Sequence, residues 1–282
     1  MDDKQKEIRM IALDLDGTTL RRDKSLSERN RRAIQNAIAQ GIHVVAASGR
    51  SFTSLPAVVR ELPGVEYAIT SNGAAIYRMD SGERIHDFLL EPSSVGEILR
   101  VLPNHRIMEA FVDGTPYAQA EYVDNPMAYG MSSWGAEYVR ATRKPVADIH
   151  AFLREHCREI DSIDIIVEGE AQQRAYREIL QAKVHGIYIT SSVSQLLEIS
   201  HKDAGKASGI RWLSERLGIP MESVAAFGDA ENDRDMILAS GLGIAMGNAG
   251  DALKQAADLV TESNEDDGVG LVIEQILMAQ RG

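Results

Sequence analysis

Two carboxylates, Asp14 and Asp16, end the apolar stretch that begins at Ile11. An unpaired charge is costly to bury, so two such side chains beside a buried strand call for a nearby cation. Asp229, in the stretch GDAEND, offers a third carboxylate of the kind that Mg²⁺ binds. Two carboxylates about 4 Å apart repel by roughly 4 kcal/mol at an effective dielectric of about 20. We therefore predict a Mg²⁺ site formed by Asp14, Asp16 and Asp229.

The same residues have the chemistry needed for phosphoryl transfer. With a cation in place, Asp14 can attack phosphorus, because the positive charge offsets the repulsion between a carboxylate and a phosphate. Asp16 can protonate the leaving oxygen and afterwards activate a water molecule. Gly17 allows the chain to turn with its N–H groups open to phosphate oxygens.

The elements around these residues predict an α/β fold. Apolar strands and helices alternate over residues 8–78, and the alternation returns over residues 223–278. This pattern predicts a doubly wound, parallel-sheet (Rossmann-like) core. Such a sheet binds ligands beyond the carboxyl ends of its strands. Polar stretches directly follow three of the predicted strands, namely SGR at 48–50, SNGA at 71–74 and GDAEND at 228–233.

The middle of the chain has a different pattern. Half-buried strands predominate there, with helical segments near 93–102, 146–157 and 170–182, which indicates an α+β organisation. We predict a core domain of residues 1–83 and 193–282, with an inserted α+β cap domain of residues 84–192. Within the cap, the basic stretch Arg140–Lys144 is either a solvated face or a contact for a second anionic group of a ligand.

Four spaced motifs together resemble the haloacid dehalogenase superfamily of phosphatases. They are DLDGT at 14–18, Ser48, Lys206 in DAGKASGI, and GDAEND. The long insertion, together with SNGA and AMGNA at 245–249, is similar to the Cof-like subgroup, which has a large α/β (C2-type) cap. The second motif of the superfamily is often Thr, and Ser48 keeps the hydroxyl.

This resemblance implies a role for each matching residue. Asp14 is the nucleophile and a metal ligand, and Asp229 is a further metal ligand. Asp16 gives the metal its backbone carbonyl, while its side chain is the acid and base. Lys206 is catalytic and also binds phosphate. The other implied phosphate ligands are Ser48, Gly49 and Asn232, with Asp233 supporting the metal site and Asn248 at its periphery.

The composition excludes several other classes of protein. The net charge of −12 argues against general binding to nucleic acid or anionic lipid. No stretch of 18 apolar residues is present, so a membrane span is not expected. The polar N-terminal residues do not resemble a secretory signal, and a single cysteine, Cys157, fits a reducing compartment. We expect a cytoplasmic protein that is a monomer or a homodimer.

The sequence therefore predicts a Mg²⁺-dependent phosphatase that acts through an aspartyl phosphate. Its expected substrates are small phosphorylated metabolites, such as sugar phosphates or phosphorylated cofactors, because a large cap hinders macromolecules. Two alternatives stay open. A phosphomutase of the same fold could return the phosphoryl group to a second hydroxyl, and a catalytically idle protein could bind metabolites for regulation.

Overall fold

The computed structural model describes residues 7–105 and 107–281. Residues 1–6, the start of the polar N-terminal segment discussed above, lie outside the described part. The chain divides into two compact units. The first unit comprises the residues up to Gly49, then Leu55–His86, and then the residues from Gly205 onward. The second unit comprises Arg50–Ser54 and Asp87–Ala204.

The strands and helices alternate in the first unit and are more mixed in the second. The strands are β1 (Met10–Leu13), β2 (His43–Ala47), β3 (Tyr67–Thr70), β4 (Ala75–Arg78), β5 (Arg84–Asp87), β6 (Met108–Val112), β7 (Thr115–Gln119), β8 (Lys144–Val146), β9 (Ile160–Ile166), β10 (Ile187–Thr190), β11 (Leu196–His201), β12 (Val224–Gly228), β13 (Leu242–Ala245) and β14 (Leu259–Val260). The helices are α1 (Glu28–Ala39), α2 (Ala57–Arg60), α3 (Pro92–Val101), α4 (Ala120–Asp124), α5 (Ser133–Thr142), α6 (Ile149–Glu155), α7 (Glu170–Lys183), α8 (Lys206–Leu217), α9 (Arg234–Ala239), α10 (Asp251–Ala256) and α11 (Gly268–Ala279).

The first unit is built on an eight-stranded sheet in the order β14-β13-β12-β1-β2-β3-β4-β5. The strands from β14 to β3 are parallel, and β4 runs antiparallel to β3. All four residues of β1 are buried, as expected for a central parallel strand. Side chains of α8, including Ile210 and Leu213, pack against Met10 and Ala12 on one face of this sheet. The predicted α/β fold with a doubly wound core is confirmed.

The register of the central strands brings distant parts of the chain to one edge. Leu13 lies beside Phe227 of β12 on one side and beside Ala46 of β2 on the other. The three strands therefore end at nearly the same level. Asp14 and Asp229, which follow β1 and β12, must consequently lie near each other.

The second unit has a six-stranded sheet in the order β10-β11-β9-β6-β7-β8. Its strands are antiparallel to their neighbours except for the parallel pair β7 and β8. One face of the sheet carries alternate apolar residues, among them Met108, Ile163 and Leu197. These pack against α3, α6 and α7, and the last two helices contribute Leu153 and Leu180. These helices correspond to the three predicted helical segments.

Two further helices, α4 and α5, were not predicted. The stretch TPYAQAEY at 115–122 has the alternation typical of a half-buried strand, but β7 ends at Gln119 and α4 follows it directly. A local signal for α5 is present in the sequence. Ser132 caps this helix, since its hydroxyl accepts a hydrogen bond from the N–H of Gly135 at 3.1 Å.

The limits of the two units differ by a few residues from the predicted domain limits. The strand Arg84–Asp87 belongs to the eight-stranded sheet, and Leu196–His201 belongs to the six-stranded sheet. The physical reason is strand pairing, because Leu197 of β11 lies beside Ile165 of β9. Residues 193–204 therefore lie with the second unit, whereas the sequence pattern assigned them to the core.

The other face of the six-stranded sheet carries a row of buried acids. Glu109 and Glu198 each lie beside Asp164 in the register of β6, β9 and β11. Arg143, just after α5, forms an ion pair with Glu109 in which the two side chains are 9% and 2% exposed. The Arg143 side chain is thus not part of a solvated face, which contradicts that interpretation of Arg140–Lys144 at this position. A contact between Arg143 and an anionic group of a ligand stays a prediction.

Among the described residues, no helix combines the length and the apolar character needed to cross a membrane.

Candidate active site

Three carboxylates meet at the carboxyl ends of β1 and β12. Asp14 is buried, and its N–H donates to the carbonyl oxygen of Phe227 at 3.1 Å. Among the described residues, Asp14, Asp229 and Asp233 each offer an oxygen, and these oxygens all lie within 4.8 Å of one another. The structure thus brings together two of the predicted metal ligands and one predicted supporting residue.

Lys206 lies at the centre of this group. Its ammonium donates to Asp14 Oδ1 at 2.7 Å and to Asp233 Oδ1 at 2.6 Å, and its side chain is fully buried. Burial alone would lower the pKa of Lys206, but the charges of Asp14 and Asp233 outweigh burial and raise it. Lys206 is therefore a fixed positive charge in contact with the predicted nucleophile.

One ammonium does not balance three neighbouring carboxylates. Burial, and after it the charge of Asp233, raises the pKa of Asp14 well above its usual value. The same two causes raise the pKa of Asp229 to about 6. These shifts show that the negative charge is held at a cost, which a bound cation would relieve. Carboxylate oxygens are also the ligands that a hard divalent ion prefers, so the donor set fits such an ion.

Asp233 has both of its oxygens engaged within the site. Oδ1 accepts from Lys206, while Oδ2 accepts from the N–H groups of Asp229 and Ala230 at 2.9 and 3.0 Å. A Cβ atom at position 228 would lie 2.3 Å from Cβ of Asp233, so only Gly228 permits this packing. Asp233 thereby orients the loop that carries Asp229, and its supporting role at a metal stays a prediction.

Asp16, in the turn after β1, is not one of the three converging carboxylates. Its Oδ1 is 2.7 Å from Nζ of Lys24. Gly17 has a φ of +86°, and a Cβ there would lie 2.4 Å from Asp229 Oδ2. The turn therefore packs directly against Asp229, and the hydroxyl of Thr18 donates to Asp229 Oδ1 at 2.8 Å. That Asp16 gives its backbone carbonyl to a metal stays a prediction.

The predicted phosphate ligands follow neighbouring elements of the same unit. Ser48 is buried directly after β2, and its carbonyl oxygen accepts from the N–H of Asn72 at 3.1 Å. Asn232 donates from Nδ2 to Asn72 Oδ1 at 2.9 Å. Asn72 has a φ of +53°, a left-handed conformation that Asn adopts more readily than most residues. Asn72 therefore links the loop after β2 to the loop after β12.

Asn248 contacts the outer side of the site. It donates from Nδ2 to the carbonyl oxygen of Gly17 at 2.8 Å, and its Oδ1 accepts from the N–H of Asn264 at 3.1 Å. It therefore restrains the turn that carries Asp16, in keeping with its predicted peripheral position.

Several residues of the site were missed by the sequence reasoning. Thr18, Lys24 and Asn72 contact predicted site residues through their side chains. Thr18 and Asn72 lie inside motifs that were recognised, DLDGT and SNGA, but their types alone did not show which partner they bind. Lys24 lies outside every recognised motif, so the sequence held no signal for it.

Comparison with known proteins agrees with this geometry. The family described as haloacid dehalogenase-like hydrolase matches residues 11–273. The chain is 33% identical to a protein named "Putative phosphatase" from Haemophilus influenzae, over 93% of this chain and 95% of that protein. It is 30% identical to 5-amino-6-(5-phospho-D-ribitylamino)uracil phosphatase YcsE from Bacillus subtilis, over 95% of each protein.

A solved structure is also similar over nearly the whole chain. A haloacid dehalogenase-like hydrolase from B. subtilis superposes with a TM-score of 0.81 at 27% identity, covering 95% of this chain and 99% of that one. The match to the family covers both ends of the eight-stranded sheet and the insertion between them. The chain therefore belongs to the family of haloacid dehalogenase-like hydrolases, as its motifs predicted.

Proposed function

We propose that this protein is a Mg²⁺-dependent phosphatase that hydrolyses small phosphorylated metabolites through an aspartyl phosphate on Asp14. One observation carries the proposal. The Asp14 carboxylate is buried 2.7 Å from the Lys206 ammonium, beside acids that fit a divalent ion. The relatives named as phosphatases support its assignment as a phosphoric monoester hydrolase.

In the first step, a carboxylate oxygen of Asp14 attacks phosphorus. A bond forms between that oxygen and phosphorus, and the bond from phosphorus to the ester oxygen breaks. Asp16 gives its proton to the leaving oxygen, so an alcohol departs. Lys206 lies close enough to offset the charge on Asp14 and on the transferred group.

In the second step, Asp16 takes a proton from a water molecule whose oxygen attacks phosphorus. The bond between phosphorus and the Asp14 oxygen breaks, which releases inorganic phosphate and restores the Asp14 carboxylate. Ser48, Gly49 and Asn232 are the proposed ligands of the phosphate oxygens in both steps.

A divalent ion, when bound, would supply positive charge that lowers the repulsion between Asp14 and the phosphate dianion. Asp14 and Asp229 would hold it through their carboxylates, together with the backbone carbonyl of Asp16, and Asp233 would support the site. Mg²⁺ is the proposed ion because hard oxygen donors suit it.

The proposed substrate class follows from the relatives. YcsE and YitU of B. subtilis, which are 30% and 29% identical to this chain, carry the name 5-amino-6-(5-phospho-D-ribitylamino)uracil phosphatase. That compound is a phosphorylated metabolite with a sugar-derived side chain. We accordingly propose sugar phosphates and phosphorylated cofactor precursors as substrates, with the enzyme acting in the cytoplasm as a monomer or homodimer without nucleic acid.

A panel assay tests this function. The purified chain is incubated with Mg²⁺ and a set of phosphorylated metabolites, and inorganic phosphate is measured. We expect release from at least one sugar phosphate or cofactor precursor, its loss in EDTA, and its restoration by Mg²⁺. Isomerised sugar phosphate without free phosphate would identify a phosphomutase. Full activity in EDTA, or no product from a folded protein, would contradict the proposal.

A further inference from the structure

Helix α8 begins at the catalytic lysine, and its own segment gives it no side-chain cap. The residue before Lys206 is Gly205, which has a φ of +135° and carries no side chain. The first N–H groups of a helix have no partner within the helix and need an acceptor from elsewhere. The position of Lys206 thus depends on what holds the start of α8.

Asp235 supplies that acceptor from a different helix. Its Oδ2 accepts a hydrogen bond from the N–H of Ala207, the second residue of α8, at 3.1 Å. Asp235 itself lies in α9, and its Oδ1 accepts from the N–H of Met236 at 2.7 Å. A negative charge at the start of a helix is also favoured by the helix dipole.

Gly205 is what allows this carboxylate to reach the helix. A Cβ atom at position 205 would lie 2.6 Å from Asp235 Oδ2, too close for any other residue without displacing the carboxylate. On another side, a Cβ at Gly73 would lie 2.0 Å from the carbonyl oxygen of Gly205. The backbone before Lys206 is therefore packed closely by the turn after β3 and by Asp235.

One short segment consequently contacts the lysine's helix at two points. Asp233 accepts from the tip of the Lys206 side chain at 2.6 Å, and Asp235 accepts from the backbone at its base. Fixing both the base and the tip of a flexible side chain restricts where its ammonium lies. The Lys206 ammonium lies 2.7 Å from Asp14 Oδ1, a distance that a small displacement of the side chain would lengthen.

We infer that Asp235 is a positioning residue for phosphoryl transfer, which acts by holding the start of α8 so that the Lys206 ammonium stays on Asp14. This inference rests on the proposed function for its catalytic consequence. The structural part of the inference, that Asp235 determines the position of Lys206, does not depend on that function.

The first test measures the placement of Lys206 without substrate or metal. The full chain is treated with acetic anhydride, and acetylation of each lysine is followed by mass spectrometry, with the exposed Lys183 and Lys202 as internal references. In Asp235→Ala, Lys206 should be labelled about tenfold faster than in the parent protein, because the start of α8 opens more often. Asp235→Asn keeps a neutral acceptor for Ala207 and should label at the parental rate.

The second test measures turnover of p-nitrophenyl phosphate at saturating Mg²⁺. Asp235→Ala should lower kcat by about 10- to 100-fold, since small displacements of a catalytic group have effects of this size, with KM nearly unchanged. Asp235→Asn should recover most of the rate. Asp251→Ala, which removes an exposed acid from the first turn of α10, is the matched control and should behave like the parent protein.

The outcomes separate this inference from the proposed function. An unchanged labelling rate of Lys206 in Asp235→Ala would overturn the positioning role. So would changes in labelling rate and kcat in Asp235→Asn that equal those in Asp235→Ala. If the parent protein hydrolyses no phosphate ester, the proposed function fails and the labelling result alone decides the inference. If Asp235→Ala does not fold, Asp235→Glu takes its place. Its carboxylate is displaced by one methylene group, so it should show the same faster labelling and lower kcat.

Discussion

Thr18 donates a hydrogen bond to Asp229 across the carboxyl ends of β1 and β12, with an Oγ1 to Oδ1 distance of 2.8 Å. The Thr18 side chain is fully buried. Since Asp229 is a proposed metal ligand, this hydroxyl sets the direction in which its other oxygen points. A hydrogen bond of this kind tunes a metal site without touching the metal.

Replacing Thr18 should therefore weaken metal binding. Thr18→Val keeps the side-chain shape and removes the hydroxyl, so the Mg²⁺ concentration for half-maximal activity should rise about 10-fold or more. Thr18→Ser keeps the donor and serves as the control. Titration of activity with Mg²⁺ measures the effect, and equal Mg²⁺ dependence in the two variants would show that the hydroxyl does not orient Asp229.

Replacing each of the two carboxylates of the DLDGT motif should impair a different step of the reaction. Asp14→Asn lacks the attacking oxygen and should form no phosphoenzyme with any substrate. Asp16→Asn keeps the nucleophile but lacks the acid and base, so it should stall with alkyl phosphates and accumulate phosphoenzyme with p-nitrophenyl phosphate, whose leaving group needs little protonation. Rapid-quench trapping with labelled substrate measures this. Label retained by Asp14→Asn would exclude Asp14 as the nucleophile.

Lys206 should be needed for both turnover and stability. Lys206→Met fills similar space without the charge, and turnover should fall by about 100-fold or more. The free energy of unfolding should drop by about 3–5 kcal/mol, because two buried carboxylates lose their ion-pair partner. Lys202→Met, at an exposed position, is the control. Steady-state kinetics and urea unfolding measure the two effects, and parental turnover would exclude Lys206 from catalysis.

Arg143 should matter for the stability of the second unit. Arg143→Met leaves Glu109 buried without its ion-pair partner and should cost about 3–5 kcal/mol of unfolding free energy. The double variant Glu109→Met with Arg143→Met should recover part of that loss, because no unpaired charge remains. Lys144→Met is the exposed control. Urea unfolding measures all three, and a loss in the single variant no larger than in the control would contradict the role of the pair.

The pH dependence of stability should reveal the buried acid Asp164. Burial, and after it the charges of Glu198 and Glu109, raises its pKa well above 3.8. A pKa raised in the folded state favours folding while the group is protonated, and this contribution is lost as the pH rises through the raised pKa. Asp164→Asn removes the ionisable group, so the variant does not lose this stability as the pH rises. The variant should be more stable than the parent at neutral pH. This difference in unfolding free energy should shrink as the pH falls toward the usual pKa of a carboxyl group.

Urea unfolding at several pH values measures the Asp164 effect. Asp124→Asn, an exposed acid of the same unit, is the control and should show no pH-dependent difference. A stability difference between Asp164→Asn and the parent that is constant over the whole pH range would contradict the assignment.

Much of the core fold could be predicted from the sequence because the patterns that specify it are local. The unbroken apolar runs of β1, β2 and β12 predict buried parallel strands, and the polar residues after them predict an edge that binds ligands. The second unit was less readable. In β11, Leu197 and Ile199 alternate with polar residues, but this strand is fixed by pairing with β9, which lies far from it in sequence.

Within the site, too, some residues could be predicted from local sequence and others could not. That Asp14, Lys206 and Asp229 lie close together was predictable because each belongs to a recognisable motif. The partners that orient them were not. Thr18 and Asp229 are 211 residues apart, and Asp235 reaches the backbone of Ala207 from another helix. Such contacts arise from packing between elements, which neither residue type nor spacing encodes.

The pairing of β1 with β12 has a consequence for protein synthesis. Met10 of β1 lies beside Val224 of β12. One of the two strands that neighbour β1 is therefore not synthesised until most of the chain has been translated. At about 5–20 residues per second, that delay lasts roughly 10–40 seconds. Residues 87–204 of the second unit emerge within this interval and are free to fold first. A nascent chain on the ribosome therefore holds Asp14 without Asp229, and the proposed site is complete only once the C-terminal strands have been added.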